Sequence, residues 1–491
     1  MAKAREKNKF YVTTPVYYPT AKPHLGTAYT TIAADILARW HKLKGEETFF
    51  LTGTDEHGQK LDEAAKKAGK SPKEYTDVLV EEFKKAWKAL NIQFDGFIRT
   101  TDKKHEENVQ KLIKQIFDNG DIYKGTYKGL YCVPCETYWT EKDLVNGKCP
   151  SCNREVKEIE EEAYFFKLSE YQQKLLDFYE KNPNFILPKF RKSEIVNRIK
   201  EGLKDISFTR SKFKWGVEFP IDKNFVLWVW PDALTNYLSG IDWPNGKNFK
   251  KFWPADVHLI GKDIIFFHSI LWPAMLMSAG IELPKSIFAH GWWTVNGEKM
   301  SKSKENVVDP LEIAGKYGVD TLRYFIFRAT PFGQDGDFNE QALIDRHNNE
   351  LANKLGNLVV RVTTLAEKYG IKKTPNKLLN NLKFEEIEKH IENYEIDKAL
   401  GIIFEFIDIC NEYVQREKPW ETSYPAKGKL LYEVLSCIQA IAFLLWPFMP
   451  ETCEKIAGNL GFEIKSFKDM TKPLKEGKIN KSEILFEKIK S

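Results

Sequence analysis

The sequence predicts an α/β protein in which a parallel sheet is interrupted by an insertion and followed by an all-α region. Three observations predict this architecture. Strand-like and helix-like segments alternate through residues 10–116, a stretch rich in Lys, Glu, Gly and Cys at 117–225 breaks the alternation, and helical apolar spacing prevails from about Asp320 onward. The 491 residues are enough for several domains of ordinary size.

The elements before residue 117 follow a β-α-β-α order. Phe10–Thr14 has the composition of a strand, and a loop broken by proline leads to a helix over Ala28–Lys42. Glu47–Thr52 is a second apolar strand, and the amphipathic spacing of Lys60–Ala68 and Tyr75–Leu90 predicts two more helices. Because parallel strands have to be joined by crossover connections, this order predicts a parallel sheet.

The strand-like pattern returns after the insertion. Phe225–Trp230 (FVLWVW), Val257–Ile260 and Ile287–His290 are short apolar runs that we expect to form the second half of the same sheet. Four later segments with helical apolar spacing predict a helix bundle: Leu351–Lys368, Phe384–Asn393, Ile396–Arg416 and Leu430–Leu445.

The composition is that of a globular protein, with 42% hydrophobic and 29% charged residues. A net charge of +5 permits contact with nucleic acid but does not argue for it. The basic segment Met1–Phe10 lacks the cleavage region of a signal peptide, and the apolar run Ile441–Pro450 is short for a membrane span. We therefore expect a soluble cytoplasmic protein with no membrane partner.

Two Cys-x-x-Cys pairs lie within the insertion, Cys132 with Cys135 and Cys149 with Cys152, and Asn146-Gly147 between them favours a hairpin turn. Four thiolates complete a closed, tetrahedral, structural Zn²⁺ site. Disulfides are the alternative, which an intracellular location disfavours. We expect one structural zinc ion. The other three cysteines lie in apolar helical patterns and are expected to be buried thiols: Cys410, Cys437 and Cys453.

The tetrapeptide His24-Leu25-Gly26-Thr27 follows a predicted strand and begins a predicted helix. The N–H groups and positive dipole end of a helix N-terminus suit a phosphate, His24 could hydrogen-bond a phosphate oxygen, and Gly26 allows close approach of a ligand. The alternative is a capping or surface histidine, which is the more common role of a lone histidine at this place.

The pentapeptide Lys299-Met300-Ser301-Lys302-Ser303 follows Asn296-Gly297-Glu298 in a glycine-containing loop. Its two lysines could fold over a triphosphate and neutralise pyrophosphate as it leaves. A solvated, charged turn is the alternative for most loops of Lys and Ser.

Together these two motifs resemble the HIGH and KMSKS signatures of class I aminoacyl-tRNA synthetases, with Thr27 in the place of the second HIGH histidine. Further segments resemble methionyl-tRNA synthetases, and the resemblance extends to about residue 450: Thr13–Tyr18 (TTPVYY), Leu51–Gly58 (LTGTDEHG), Trp230–Tyr237 (WPDALTNY), Gly261–His268 (GKDIIFFH) and Trp272-Pro273.

The resemblance implies a Rossmann-type catalytic domain with a zinc-binding inserted domain, followed by an all-α helix-bundle anticodon-binding domain. The implied boundaries are 1–116 and 226–295 for the two catalytic halves, 117–225 for the insertion, 296–350 for the KMSKS loop and stem-contact region, and 351–491 for the bundle.

The activity that the resemblance implies is that of a methionine–tRNA ligase. Such an enzyme activates L-methionine with ATP and Mg²⁺ to methionyl-adenylate and pyrophosphate. It then transfers methionine to the 3′-terminal adenosine of initiator and elongator methionine tRNA, for translation initiation and elongation. We expect a monomer.

Site residues are implied for four roles. The resemblance assigns a catalytic role to His24, Lys299 and Lys302, and ATP binding to His24, Gly26, Thr27, Gly261, Asp263, Lys299 and Lys302. It assigns methionine binding to Val16, Tyr18, Asp55 (at the ammonium group), Trp230, Ala233, Leu234, Tyr237, Ile264 and His268. It assigns anticodon binding to Asn357, Arg361 and Trp420. Taken singly, the aromatic residues would more often belong to the core, and without the resemblance Asn357 and Arg361 would be interpreted as a solvated helix face.

Three alternatives remain open at this point. A synthetase for another small apolar or sulfur amino acid is one, although the cysteine enzyme uses a catalytic zinc and the clustered cysteines here lie in the insertion. A non-catalytic tRNA-binding paralogue is the second. A structural or interaction protein is the third, and only the Lys-rich C-terminal segment favours it.

Overall fold

A computed structural model describes residues 9–20, 22–135, 137–139, 141–300, 306–477 and 479–490. Its strands are, in chain order, β1 Lys9–Tyr17, β2 Glu47–Thr54, β3 Gly96–Arg99, β4 Ile122–Cys132, β5 Thr137–Trp139, β6 Lys157–Phe166, β7 Ile186–Leu187, β8 Ile206–Ser207, β9 Thr209–Arg210, β10 Val226–Leu227, β11 Val257–Gly261, β12 Ile287–His290, β13 Trp293–Val295, β14 Glu298–Lys299 and β15 Gly336–Asp337.

The α-helices of the same residues are α1 Leu25–Lys44, α2 Gln59–Lys67, α3 Pro72–Ala89, α4 Lys103–Asp118, α5 Gln172–Lys181, α6 Lys189–Lys200, α7 Val229–Leu234, α8 Asn236–Ser239, α9 Lys247–Phe252, α10 Trp272–Ser278, α11 Pro310–Tyr317, α12 Val319–Arg328, α13 Glu340–Arg346, α14 Asn357–Tyr369, α15 Phe384–Glu392, α16 Ile396–Glu417, α17 Ala426–Leu445 and α18 Pro450–Leu460. Two π-helical segments, Phe267–Leu271 and His347–Gly356, precede α10 and α14.

The central sheet is parallel throughout, with the strand order β3-β2-β1-β11-β12-β7. The predicted parallel α/β fold is therefore confirmed. Chain order reverses between β1 and β11, and a crevice at the carboxyl ends of strands on either side of such a switch point is where open α/β sheets bind ligands. Strand β1 runs on through Pro15, where a loop was expected, because its register against β2 shifts between Thr13 and Val16 and so accommodates a residue without an N–H.

The prediction of a sheet strand at Phe225–Trp230 is wrong. Val226–Leu227 pairs antiparallel with β9 outside the central sheet, and the chain then turns into α7. A short apolar run does not distinguish a strand from a buried helix, and Pro231 is tolerated because it lies in the first turn of α7. The sixth strand of the sheet comes instead from Ile186–Leu187, within the predicted insertion.

The rest of the insertion forms a separate antiparallel sheet with the order β5-β4-β6-β8. The β4–β6 ladder runs from Ile122 opposite Phe166 to Tyr131 opposite Lys157. The hairpin turn at Asn146-Gly147 is confirmed, because both residues have positive φ (52° and 74°) and the residues on either side of them form a β-bridge.

The C-terminal region is the predicted helix bundle, with α15 to α17 close to the expected bounds. The helix predicted from Leu351 is π-helical up to Gly356 and continues as α14, and α18 is a further helix that was not predicted. Helix α17 is long and apolar enough to cross a membrane by length and composition, but 83% of its apolar window is buried in the bundle, as in the core helix of a globular protein. The three remaining cysteines are buried, as predicted: Cys410, Cys437 and Cys453.

A buried ion pair connects α12 and the end of α17 to α1, which packs on the central sheet. The guanidinium of Arg323, on α12, donates to Asp35 on α1 over 2.6 Å and to the backbone carbonyls of Pro447 and Phe448 over 2.8 and 3.0 Å. Both charged side chains are fully buried, and Asp35 also accepts from the buried Arg39 over 2.8 Å, so loss of Asp35 would leave two buried guanidinium groups without this carboxylate. The contact holds α1, whose N-terminus faces the crevice, against the segment between α17 and α18.

Candidate functional site

A cavity of about 550 Å³ opens at the carboxyl ends of four sheet strands. Tyr17 ends β1, Asp55 follows β2, Gly261 ends β11, His290 ends β12, and all four line the cavity. The structure brings fourteen predicted residues together around it: Val16, Tyr18, His24, Gly26, Thr27, Asp55, Trp230, Ala233, Leu234, Tyr237, Gly261, Asp263, Ile264 and His268.

The N-terminus of α1 forms one wall, and a reciprocal cap shapes it. His24 Nδ1 accepts a hydrogen bond from the Gly26 N–H (3.1 Å), while Thr27 Oγ1 accepts from the His24 N–H (3.0 Å) and donates to the His24 carbonyl (2.7 Å). Thr27 thus orients the backbone of His24 from the position of the second HIGH histidine. The first turn carries no acidic residue, so the positive dipole end remains available to an anion.

At the opposite end of the cavity lies an uncharged, hydrogen-bonded pair of side chains, Tyr237 and His268. His268 Nδ1 lies 3.0 Å from the Ile264 carbonyl, which can only accept, so Nδ1 carries the hydrogen and Nε2 accepts from the Tyr237 hydroxyl over 2.6 Å. Burial lowers the pKa of His268 to about 4 and raises the pKa of Tyr237, so both groups are neutral at pH 7.

Aromatic rings complete this end. Trp230 stacks on Phe267 with ring centres 3.7 Å apart, and its edge faces His268. Trp272 does not line the cavity but packs behind Tyr237 at 5.9 Å. An apolar, ring-lined, uncharged pocket fits a thioether, because sulfur packs favourably against aromatic rings.

A buried carboxylate that the sequence reasoning missed connects the two walls of this end. Asp232, on α7, accepts from His57 over 2.7 Å and from His105, on α4, over 2.8 Å. Although burial opposes both shifts, the attraction between the partners raises the pKa of His57 and lowers that of Asp232. The pair joins the loop that carries Asp55 to the helix that carries Trp230, and the WPDAL stretch was the sequence signal for it.

The sequence reasoning also missed residues that line the cavity near the N-terminus of α1 and the carboxyl ends of β11 and β12. Thr30 Oγ1 lies 2.6 Å from His290 Nε2, and Trp292 donates its indole N–H to Asp263 over 3.0 Å. The remaining lining residues that were not predicted are Pro15, Tyr17, Lys60, Pro134, Val229, Asn236, Gly291 and Trp293. Two residues of other predicted motifs also line the cavity, the predicted zinc ligand Cys135 and Met300 of the KMSKS loop. The HGWW stretch just before the KMSKS loop was the available signal for Trp292.

The KMSKS loop is described only in part. Lys302 lies outside the described residues, and the backbone of Lys299 ends β14, paired with β13. Met300 lines the cavity, so the loop begins at its edge.

The four cysteines of the insertion form a cluster that could hold a metal ion. Their Sγ atoms all lie within 4.8 Å of one another, with Cys132 and Cys152 at 3.5 Å and Cys135 and Cys149 at 3.7 Å. A tetrahedron with Zn–S distances of about 2.3 Å has edges of about 3.8 Å, so the donor set fits. No disulfide forms among the seven cysteines, all of which are described. Burial raises the pKa of the Cys132 and Cys135 thiols, whereas backbone N–H groups lower the pKa of the Cys149 thiol although burial opposes it.

The predicted anticodon residues lie on the bundle, away from the cavity. Asn357 is exposed at the start of α14, and one turn later Arg361 donates to Asn411 over 3.3 Å. Trp420 follows the end of α16 and is 42% exposed, which is unusual for so large an apolar ring. An exposed ring can stack an unpaired base, and amide and guanidinium groups can read its edge.

A switch-point cavity between a His-x-Gly helix start and a KMSKS loop is the arrangement of a class I aminoacyl-tRNA synthetase. The family described as tRNA synthetases class I (M) matches residues 10–159 and 154–363. The family described as the anticodon-binding domain of tRNA ligase matches residues 376–489.

Sequence and structure comparisons with known proteins narrow this class of enzymes to one family. The chain is 47% identical over 506 residues to the methionine–tRNA ligase of Caldanaerobacter subterraneus subsp. tengcongensis, covering 98% of this chain and 79% of that protein. It is 47% identical over 481 residues to the Thermotoga maritima enzyme of that name, covering 94% and 76%. The Mycobacterium tuberculosis methionyl-tRNA synthetase bound by methionyl-adenylate superposes with a TM-score of 0.94 at 39% identity, covering 98% of this chain and 100% of that one. The chain belongs to the methionyl-tRNA synthetase family, as its motifs predicted.

Proposed function

We propose that this chain is a methionine–tRNA ligase that acts in the cytoplasm as a monomer. Methionine's carboxylate oxygen attacks the α-phosphorus of ATP, and the bond to pyrophosphate breaks. A ribose hydroxyl of the terminal tRNA adenosine then attacks the carbonyl carbon of methionyl-adenylate, loses its proton, and releases AMP. The observation that carries the proposal is the cavity, which joins an uncharged aromatic end to a helix N-terminus suited to phosphate.

The methionine end binds the charged ammonium group of the amino acid with a carboxylate and its uncharged thioether side chain with an uncharged wall. The Asp55 carboxylate holds the ammonium group, while Tyr237 and His268 face the thioether. Because burial keeps His268 neutral, the sulfur meets a polarisable hydrogen-bonded pair rather than a cation. Trp230, Ala233, Leu234 and Ile264 shape the rest, and Val16 and Tyr18 contribute from β1 and the loop after it.

The nucleotide end positions ATP for attack. His24 and the N–H groups of α1 face the phosphates, and Asp263 accepts from a ribose hydroxyl. A Cβ at Gly261 would lie 2.7 Å from Asp263 Oδ1, so a larger residue there would displace the Asp263 carboxylate. Lys299 and Lys302 neutralise the departing pyrophosphate, and Mg²⁺ accompanies ATP.

The insertion and the bundle serve tRNA. One zinc ion on Cys132, Cys135, Cys149 and Cys152 would order the insertion and has no open position for chemistry. Asn357, Arg361 and Trp420 would contact the CAU anticodon of initiator and elongator methionine tRNA, with the helix bundle of residues 351–491 as the anticodon-binding domain.

The test is ATP–pyrophosphate exchange measured with each of the twenty amino acids. Exchange with methionine alone, reduced about a hundredfold or more by Lys302→Ala, supports the proposal. Lys316→Ala, an exposed lysine paired with Glu340 away from the cavity, is the matched control and should exchange normally. Exchange with cysteine or another amino acid instead would reassign the substrate. No exchange from folded, zinc-loaded protein would favour a tRNA-binding paralogue.

A further inference from the structure

Four residues at the nucleotide end of the cavity form a closed set of contacts, here called the Trp292 ring: Lys262, Asp263, Trp292 and Asp335. The indole Nε1–H of Trp292 donates to Asp263 Oδ1 over 3.0 Å, and its backbone N–H donates to Asp335 Oδ1 over 2.8 Å. Lys262 Nζ donates to both oxygens of Asp335, over 2.7 and 2.6 Å, and lies 4.2 Å from the Trp292 ring centre. Because Lys262 precedes Asp263 in the chain, the set closes on itself.

The backbone around Trp292 is held in place by the segment that carries Asp335. A Cβ on Gly291 would lie 2.2 Å from the carbonyl group of Gln334, so only glycine allows the two segments to pack so closely. One residue further on, Trp293 pairs with Gly336 in a parallel bridge between β13 and β15. The backbone from which the indole projects toward Asp263 is therefore fixed on both sides of Trp292.

We propose that Trp292 is a nucleotide-positioning residue, which holds the Asp263 carboxylate in the orientation that meets a ribose hydroxyl of ATP. This inference rests on the proposed function, which gives Asp263 its ribose contact. A carboxylate offers about four acceptor positions, so the indole can occupy one and leave the others to ATP. Trp292 does not have to move aside, and Lys262 and Asp335 act by holding Trp292.

Loss of the indole N–H frees the Asp263 side chain to rotate. The carboxylate then has to be ordered again before it can accept a hydrogen bond from ATP. This ordering costs part of the free energy of ATP binding, which a preorganised carboxylate retains. One hydrogen bond to a charged group corresponds to about tenfold in kcat/KM. The substitution should change the kinetic constants for the nucleotide and not those for methionine, because the indole hydrogen-bonds Asp263 at the nucleotide end.

The test compares wild type with Trp292→Phe in methionine-dependent exchange with ATP, 2′-deoxy-ATP and 3′-deoxy-ATP. Wild type should prefer ATP over the analogue that lacks the hydroxyl held by Asp263. Trp292→Phe should lower kcat/KM for ATP about tenfold, leave the KM for methionine unchanged, and have almost no effect with that analogue. A general structural defect, or a role of Trp292 in stacking the base, would lower kcat/KM equally for all three nucleotides. That result would overturn the proposal.

A double-mutant cycle gives a second measurement. Asp263→Asn combined with Trp292→Phe should be no worse than Asp263→Asn alone, whereas additive losses would contradict a shared action. The matched control is Trp446→Phe, on the helix bundle. Its indole N–H also donates to a carboxylate, Glu454 at 3.1 Å, and a cation, Arg39, also lies over its ring at 4.7 Å. This control should exchange as wild type.

The failure of this inference and that of the proposed function are distinguishable. Wild type that exchanges with methionine but does not distinguish ATP from either deoxy analogue would overturn the role of Trp292 and leave the ligase activity intact. Wild type without exchange would overturn the ligase activity itself.

Discussion

Asp232→Asn tests whether the buried carboxylate between two histidines holds the methionine end of the cavity together. The side chain of Asp232 is 1% exposed, and its two oxygens accept from His57 and His105. Asparagine has nearly the same shape but only one acceptor oxygen, so one histidine N–H would face an NH₂ group. The substitution therefore removes the charge and one hydrogen bond without opening a large cavity.

The expected loss of stability follows from the burial of this pair. Removing one partner of a buried ion pair costs about 3–5 kcal/mol, and the hydrogen bond that asparagine retains recovers about 1 kcal/mol, which leaves roughly 2–4 kcal/mol. Loss on this scale should also loosen α7 against the loop of Asp55, so the KM for methionine should rise while that for ATP does not change.

The loss should depend on pH in a direction set by His57. Despite burial, Asp232 raises the pKa of His57, with smaller contributions from Glu106 and Glu56. The stabilisation by His57 is therefore complete below its unfolded-state pKa of about 6.5 and is lost as pH rises through the raised folded-state value. The Asp232 pKa is lowered, so its own contribution is complete above about pH 4 and is lost as pH falls through the folded-state value.

Thermal unfolding of the zinc-loaded protein at about pH 5.5 and about pH 9 measures both effects. Asp232→Asn should lower the Tm by about 2–4 °C at the lower pH, and by less at the higher pH. Asp242→Asn is the control: its pair with Lys104 is exposed, so the Tm should hardly change. A larger decrease at the higher pH, or equal decreases for the two variants, would refute the reasoning.

Three further predictions concern metal, amino acid and tRNA. Cys152→Ser should lower bound zinc, measured by elemental analysis, and reduce tRNA charging more than exchange; full zinc occupancy would contradict the four-thiolate site. Tyr237→Phe removes the donor to His268 Nε2 and should raise the KM for methionine about tenfold at unchanged KM for ATP, and an equal rise for both substrates would speak against a side-chain pocket. Arg361→Met should leave exchange intact and raise the KM for tRNA in charging, and unchanged charging would exclude an anticodon contact.

Most of the fold could be predicted because its signals are local. The helix of residues 28–42 and the strands near residues 10, 257 and 287 have strong periodicity, and each lies close to its predicted bounds. The four cysteines could be placed because two tight Cys-x-x-Cys turns need only a hairpin to bring them together. The strand prediction for Phe225–Trp230 was wrong because a continuous run of apolar residues has no periodicity that distinguishes a strand from a helix.

By itself, the sequence determined the fold class, the family, the four-cysteine cluster and about half of the residues that line the cavity, since each depends on neighbours in the chain or on a motif. Only the tertiary structure decided that Asp232 lies between His57 and His105 and that Trp292 holds Asp263. The partners in these contacts are 175, 127 and 29 residues apart. Which buried polar groups meet is set by which strand and helix ends lie side by side, and no local pattern contains that information.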